Sequence, residues 1–388
     1  MKIAILTSGV LPVPAVQGGA VENLIDFYLE YNDKHQLHDI TVFSVYHQQV
    51  EQHPALTSAV NHYVYLNLNS ITARIRSFVH KHWGTRYYYY DKIEYFFSWA
   101  LQKIKRAHFD VIILENRPGF ALGVAKHCSI PIVAHIHTNL LSEHTQKNRE
   151  IILSTSKFLP ISEFIKKEIE GICLPRQIKV LYNGLDVRRF DVQKVAPIQR
   201  EKYGLSPNDF VAIFAGRLVP AKGIKELLMA FLMLADHPDI KLMVLGSTNY
   251  ADTKEPTPFQ QELMRMTAQL RNRVIFTGFI PYDQIPSHLA AADVAVVPSH
   301  INEAFGMSCI EACAMGLPVI ATNDGGIPEA LVGQKHVLLE KGENLPEQIA
   351  NALITVKEHI DEFQGNTLNP TFSKETYAKH FFEEIETI

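Results

Sequence analysis

Apolar positions along the chain follow two alternating periods. Short β-branched runs occur at Lys2–Leu6, Ile40–Val45, Val111–Leu114, Pro131–His135 and Phe158–Ile161. A second series runs Val211–Phe214, Lys241–Leu245, Val274–Phe276, Val294–Val297, Pro318–Ala321 and His336–Leu339. Between them apolar residues return every three or four positions, as in Val21, Leu24, Ile25, Tyr28 and again in Ile224, Leu227, Leu228, Phe231. That spacing lines one face of a helix. Near-continuous apolar strands separated by such helices predict parallel sheets covered on both faces. Two series predict two doubly wound, Rossmann-like α/β domains. The polar, proline-containing stretch Asp186–Asn208 marks the join. The domains are therefore read as 1–190 and 191–371, with a last helix over 372–388 packing back on the first.

Composition narrows the class. The chain has 388 residues, 47% hydrophobic and 20% charged, which suits globular domains and excludes disordered or collagen-like chains. Four cysteines at this length read as reduced thiols rather than a disulfide framework. Net charge is 37 − 41 = −4, so no basic surplus points to nucleic acid. The N-terminal run MKIAILTSGV reads as a first strand rather than a signal peptide, and a cytoplasmic protein is expected.

The charge is uneven. Residues 71–108 hold Arg74, Arg76, Lys81, Arg86, Lys92, Lys103, Lys105 and Arg106 against Asp91 and Glu94, a net of 8 − 2 = +6. Trp83, Trp99 and Tyr87–Tyr90 lie in the same stretch. Cations beside aromatics suit peripheral contact with an anionic membrane. The alternative is a helix pair with core aromatics and solvated cations. Ile93, Phe96, Phe97 and Ala100 repeat at helical spacing and favour burial there. Arg74–Tyr90 has no such period and is the better membrane candidate.

In open parallel sheets ligands bind beyond the carboxyl ends of strands, so the loops there are where chemistry is sought. After Val294–Val297 comes Glu303-Ala-Phe-Gly-Met-Ser-Cys-Ile-Glu311, opening a helix that Gly316 and Pro318 stop. Phe305–Ser308 would offer backbone N–H groups at a helix start, an anion site, with two carboxylates alongside. A capping box of Ser308 and Glu311 is the alternative. After Val211–Phe214 comes Gly216-Arg217-Leu-Val-Pro-Ala-Lys222-Gly223. Two cations in one strand–helix loop can neutralise a leaving diphosphate without a metal. Gly216 and Gly223 would let the backbone approach it.

With these segments the sequence resembles the retaining glycosyltransferases of family 4, which have the two-domain GT-B fold. Glu303 and Glu311 match the family's E-x7-E motif, and AGRLVPAKG its G-R-L-x-x-x-K-G segment. Asn183-Gly-Leu-Asp186, Thr277-Gly278-Phe279, Asp324-Gly-Gly-Ile-Pro-Glu329 and Gly18-Gly19-Ala-Val-Glu22 match in order along nearly the whole chain. The resemblance implies that Arg217 and Lys222 bind the donor diphosphate, that Glu311 binds the ribose and that Glu303 holds the sugar hydroxyls. It further implies that Gly216, Gly306, Met307 and Ser308 line the donor, that Phe279 and Ile280 frame the base, and that Gly18 and Gly19 close over it. His137 matches the family's histidine near the reactive carbon of the sugar. His135 shares its side of the strand. A two-histidine metal site lacks a carboxylate at a convincing spacing.

Where relatives often have a histidine, this chain has Glu115-Asn116-Arg117. These residues, with Asn183, are expected on the acceptor side. Arg117 would bind an acceptor phosphate or pair with a carboxylate. No D-x-D triplet occurs, so no metal and no cofactor are expected. The resulting expectation is a hexosyltransferase moving a sugar from a nucleotide diphosphate sugar, UDP-linked, to a saccharide or lipid-linked saccharide, as in polysaccharide or glycoconjugate synthesis. A glycoside phosphorylase, a nucleotide-sugar epimerase and a non-catalytic accessory protein are the alternatives. A dehydrogenase is disfavoured, since Thr7-Ser8-Gly9-Val10 replaces G-x-G-x-x-G.

Overall fold

The computed structural model describes residues 1–83, 91–246 and 257–388. The chain divides into two compact units, Met1–Gly184 with Lys374–Ile388, and Leu185–Ser373. The sequence reading had set the joins at 190 and 371.

The first unit carries β1 (Lys2–Leu6), β2 (Asp39–Val45), β3 (Asn61–Leu66), β4 (Val111–Glu115), β5 (Ile132–Ile136) and β6 (Lys157–Pro160). They form one parallel sheet in the order β3-β2-β1-β4-β5-β6. The second unit carries β7 (Phe210–Ala215), β8 (Ile240–Leu245), β9 (Val274–Gly278), β10 (Val294–Val297), β11 (Val319–Thr322) and β12 (His336–Leu339). Its sheet runs β12-β11-β10-β7-β8-β9, also all parallel. Each order reverses next to the unit's first strand, between β1 and β4 and between β7 and β10. That reversal is the switch point at which doubly wound sheets bind ligands.

Strands β1, β4, β5, β7, β8, β10 and β11 are buried along nearly their whole length because helices cover both sheet faces. The missed strand, β3, is an edge strand whose middle residues His62–Tyr65 are exposed or half-buried. On one face of the first sheet, the helix Ala20–His35 buries Leu24, Ile25 and Tyr28 beside the returning C-terminal helix Lys374–Ile385. Tyr28 stacks on Phe381 with ring centroids 4.0 Å apart. On the other face, Phe96, Phe97 and Ala100 of the helix Asp91–Ile104 are fully buried. In the second unit, Ile224, Leu227, Leu228 and Phe231 of the helix Ile224–Met233 are buried against β7 and β8.

The basic stretch divides as its periodicity suggested. The helix Ile71–Trp83 exposes Ile71, Ile75, Phe78 and Val79 together with Arg74 and Arg76. Arg86 and Tyr87–Tyr90 lie outside the described residues, as do the side chains of Lys81 and Trp83. Trp99 packs against Phe43 and Phe96 with Lys103 over its ring, on the core side. Among the described residues no helix is long and apolar enough to cross a membrane.

Candidate active site

In the second unit the chemistry gathers at the switch point. The loop after β7 carries Lys222 and the loop after β10 carries Glu303, and the Lys222 ammonium pairs directly with Glu303 Oε2. Arg217 lies in the same loop as Lys222 and is exposed. The side chains of Lys222 and Glu303 are 27% and 17% exposed, so the pair is reachable from solvent. Gly223 has a local structural reason to be glycine. Its φ is +68° and a Cβ there would sit 1.9 Å from the Pro298 carbonyl oxygen.

The Glu303 peptide is held from both sides by the loop after β11. Asp324 Oδ2 accepts the Glu303 N–H at 2.8 Å, and the Gly326 N–H donates to the Glu303 carbonyl at 2.8 Å. Gly325, between them, has φ +55°, and a Cβ would fall 2.0 Å from that carbonyl oxygen. Asp324 is 2% exposed, and Lys341 Nζ donates to its other oxygen at 2.6 Å. The Asp324-Gly-Gly turn thus shapes the backbone that presents Glu303.

The helix after this loop spans Met307–Ala314, with Gly306 as its N-cap at φ +99°. Ser308 is therefore inside the helix, no side chain caps it, and the capping box does not form. Glu311 lies one turn in and is 8% exposed; its Oε1 accepts the Tyr282 hydroxyl at 3.0 Å. Burial pushes its carboxyl up to about 7 against the pull of that single hydrogen bond. Tyr282 is placed by Phe190, ring centroids 5.7 Å apart. At the end of β9, Phe279 is 47% exposed and Ile280 half-buried.

In the first unit the last residue of β4 turns inward. Glu115 is paired in register with His135 of the neighbouring strand. Its carboxylate is fully buried. Oε1 accepts the Tyr28 hydroxyl at 3.0 Å, while Oε2 lies 3.1 Å from His135 Nδ1 and 2.9 Å from His137 Nε2. Burial alone would raise this carboxyl; the charge of and hydrogen bond from His135, and then those of His137, hold it instead at about 2. Burial, then the neighbouring His135, pushes His137 down to about 4 against the pull of Glu115.

Glu115 thus points into the interior, not outward as the acceptor-side reading of Glu115-Asn116-Arg117 had it. It is also the carboxylate that no sequence spacing brought to the two histidines. The three side chains offer ligand atoms within 4.8 Å of one another, and a small divalent ion is the kind of group such a set could hold. Asn116 has φ +53°; its Oδ1 accepts the His137 N–H at 3.2 Å and the Thr138 hydroxyl at 3.0 Å. Arg117 Nε donates to the Ser8 carbonyl at 3.1 Å across the first switch point, and Ser8 donates to buried Glu22 at 3.2 Å. Gly18 and Gly19 lie between Ser8 and Glu22 in the loop that leads into the helix Ala20–His35. Asn183 is buried at the end of this unit. Tyr28 was read from sequence only as an apolar helix position, and Tyr282 and Lys341 were not singled out, because only the fold brings the three to their partners.

Comparison with known proteins follows this division. Residues 34–189 match the glycosyltransferase family 4 domain, and residues 195–362 match the glycosyl transferases group 1 domain. Bacillus subtilis YtcC is 29% identical over 366 residues, covering 91% of this chain and 82% of its own. Spore coat protein SA of the same organism is 25% identical over 91% of this chain and 89% of its own. The lipopolysaccharide 1,2-N-acetylglucosaminetransferase of Salmonella typhimurium is 26% identical over 73% of this chain and 74% of its own. Among solved structures, Anabaena HepE in complex with UDP-glucose superposes with a TM-score of 0.73 at 22% identity over the whole of both chains. The two six-stranded parallel sheets and both matched domains place the chain among the family 4 glycosyltransferases of GT-B fold, and it is a transferase enzyme of that family.

Proposed function

We propose that this glycosyltransferase moves a hexose from a UDP-sugar to an acceptor hydroxyl with retention of configuration and without a metal. The observation that carries the reading is the Lys222–Glu303 pair at the second switch point, with Glu311 one turn inside the helix that follows Glu303. A cation there, with Arg217, meets the diphosphate. Glu303 holds the sugar hydroxyls, and Glu311 and Tyr282 meet the ribose. Phe279 and Ile280 flank the base, and Gly216, Gly306, Met307 and Ser308 supply close backbone. His137 reaches the sugar, with Gly18 and Gly19 beside the donor. Asn116, Arg117 and Asn183 serve the acceptor.

No carboxylate is needed as a covalent nucleophile in this reading. The bond from anomeric carbon to phosphate oxygen breaks, and the acceptor oxygen bonds to the same carbon on the same face. The departing phosphate takes the acceptor proton. The protein contributes position and charge stabilisation. HepE, the neighbour described above, was crystallised with UDP-glucose, which supports a uridine donor.

A panel of UDP- and GDP-sugars tested by thermal shift, then by transfer, checks the reading. A true donor at 100 times its Kd adds about 2.7 kcal/mol of stability. Stabilisation by UDP-sugars and transfer that persists in chelator are expected. Strict dependence on inorganic phosphate, or loss of all transfer in chelator, would refute it.

Peripheral membrane contact belongs to the same proposal, with a lipid-linked saccharide as acceptor. The exposed face of Ile71, Ile75, Phe78 and Val79 next to Arg74 and Arg76 supports it. Co-sedimentation with anionic vesicles at low salt, reduced at high salt and by neutralising Arg74 and Arg76, is the expected result. Absence of binding at low salt would remove it.

A further inference from the structure

Glu115 and Asn116 act on one residue. Oε2 of Glu115 lies 2.9 Å from the Nε2 of His137, while Oδ1 of Asn116 holds the backbone N–H of the same residue. An ionised carboxylate can only accept, so His137 must donate from Nε2. A neutral imidazole has one N–H, which leaves Nδ1 as an acceptor. No protein group among the described residues bonds that Nδ1, and unlike His135 Nε2 it is not a sealed orphan of the interior.

We propose that Glu115 and Asn116 are positioning residues that lock His137 as the Nε2–H tautomer, with Nδ1 turned out to accept a hydrogen bond from a hydroxyl of the bound sugar. The inference rests on the reading of the site as a sugar-transfer centre and adds the device that orients its histidine. Several features support it. Glu115 has donors on both oxygens, from Tyr28, His135 and His137, so its ionised form is satisfied without solvent. His135 and His137 share the one Glu115 carboxylate with ring centroids 4.0 Å apart, a geometry that disfavours two charged rings. Asn116 adopts a left-handed conformation that asparagine tolerates better than most residues. Its own N–H donates to the His135 carbonyl at 2.9 Å, so one residue pins the chain before and after His137. The C-terminal helix closes over the cluster, with the Tyr377 and Phe381 rings 6.2 and 6.1 Å from His135. The second histidine is thereby confined to the interior, and His137 is the one left to meet a ligand.

Histidine-selective nitrogen-15 NMR reads the tautomer in the unaltered protein, with His137→Gln assigning the resonance. A protonated Nε2 and a bare Nδ1 at pH 7 are expected. In Glu115→Gln the amide N–H₂ can donate to Nε2 and invert the ring, turning the acceptor into a donor. The kcat for transfer should then fall by about 10²-fold, short of the ~10⁴-fold loss when a histidine that itself carries the proton is left in the wrong tautomer, with a smaller change in the donor KM. Asn116→Ala should lower kcat by roughly 10-fold with the tautomer kept. The proposal is overturned by a protonated Nδ1 in the unaltered protein. Full kcat in a Glu115→Gln protein with an inverted ring, or a stoichiometric divalent metal bound by Glu115, His135 and His137, would overturn it as well. If the unaltered protein transfers no sugar from any donor, the transferase reading fails, and the NMR result still decides what Glu115 does.

Discussion

Two buried carboxylates, one in each unit, sit in opposite electrical states. Glu115 in the first unit receives hydrogen bonds from Tyr28, His135 and His137 and is held at about 2. Glu311 in the second unit has the Tyr282 hydroxyl as its hydrogen-bond donor and is pushed up to about 7. Burial acts on both and raises both; the number and charge of the donors decides which stays ionised. The contrast separates a closed network from an open one. Glu115 is already satisfied and can serve only to hold other groups. Glu311 has accepting capacity left, and hydroxyls of a ligand could supply the donors it lacks. The Lys222–Glu303 pair is open in the same sense, partly exposed and exchangeable for ligand charges.

The largest expected effect comes from the open side. Lys222→Ala should lower transfer by roughly 10²–10³-fold while changing stability by under about 1 kcal/mol, as for other accessible ion pairs. Steady-state kinetics beside urea unfolding checks both halves. Near-normal transfer would sink the assignment, and a large stability loss would erase the contrast with the first unit. Glu115→Ala should do the reverse, costing about 3 kcal/mol because three buried donors lose their acceptor. Urea midpoints measure that cost.

The two carboxylates also predict opposite pH slopes. Glu311 binds a proton more tightly folded than unfolded, so its contribution is greatest below about 4.5 and is lost as pH rises to about 7. Glu115 binds its proton less tightly when folded, so its contribution is present above about 4.5 and is lost as pH falls toward 2. Glu311→Gln should remove a decline of roughly 2–3 kcal/mol between pH 4.5 and 7, at ~1.4 kcal/mol per pKa unit. Unfolding curves across pH, variant against unaltered protein, test the sign. Asp324→Asn should cost less, about 1–2 kcal/mol: Lys341 and the Glu303 N–H bond different carboxylate oxygens, so the single amide oxygen keeps one donor paired while the other faces an N–H₂. Transfer should fall by about 10-fold as the Glu303 loop loosens.

The same contrast explains what was legible. The open cluster follows strands in sequence, so Lys222, Glu303 and Glu311 could be read as loop and helix-start residues from the linear pattern. All strands but β3 were visible as apolar runs; β3 is an edge strand that buries too little to show one. The closed cluster was hidden because Glu115 meets His135 only through the register of β4 on β5, which spacing along the chain does not encode. Tyr282 and Lys341 were hidden for the same reason. The ambiguity between a capping box and an open anion site at Ser308 needed the helix start itself, which falls at Met307.

The most direct test of the account is calorimetric titration of UDP-glucose into the unaltered protein, Lys222→Ala and Glu311→Gln at pH 6 and pH 8. The account predicts binding by the unaltered protein that tightens as Glu311 ionises through about 7. It predicts at least about tenfold weaker binding in either variant, and loss of the pH dependence in Glu311→Gln. Equal affinity in all three proteins at both pH values would contradict it.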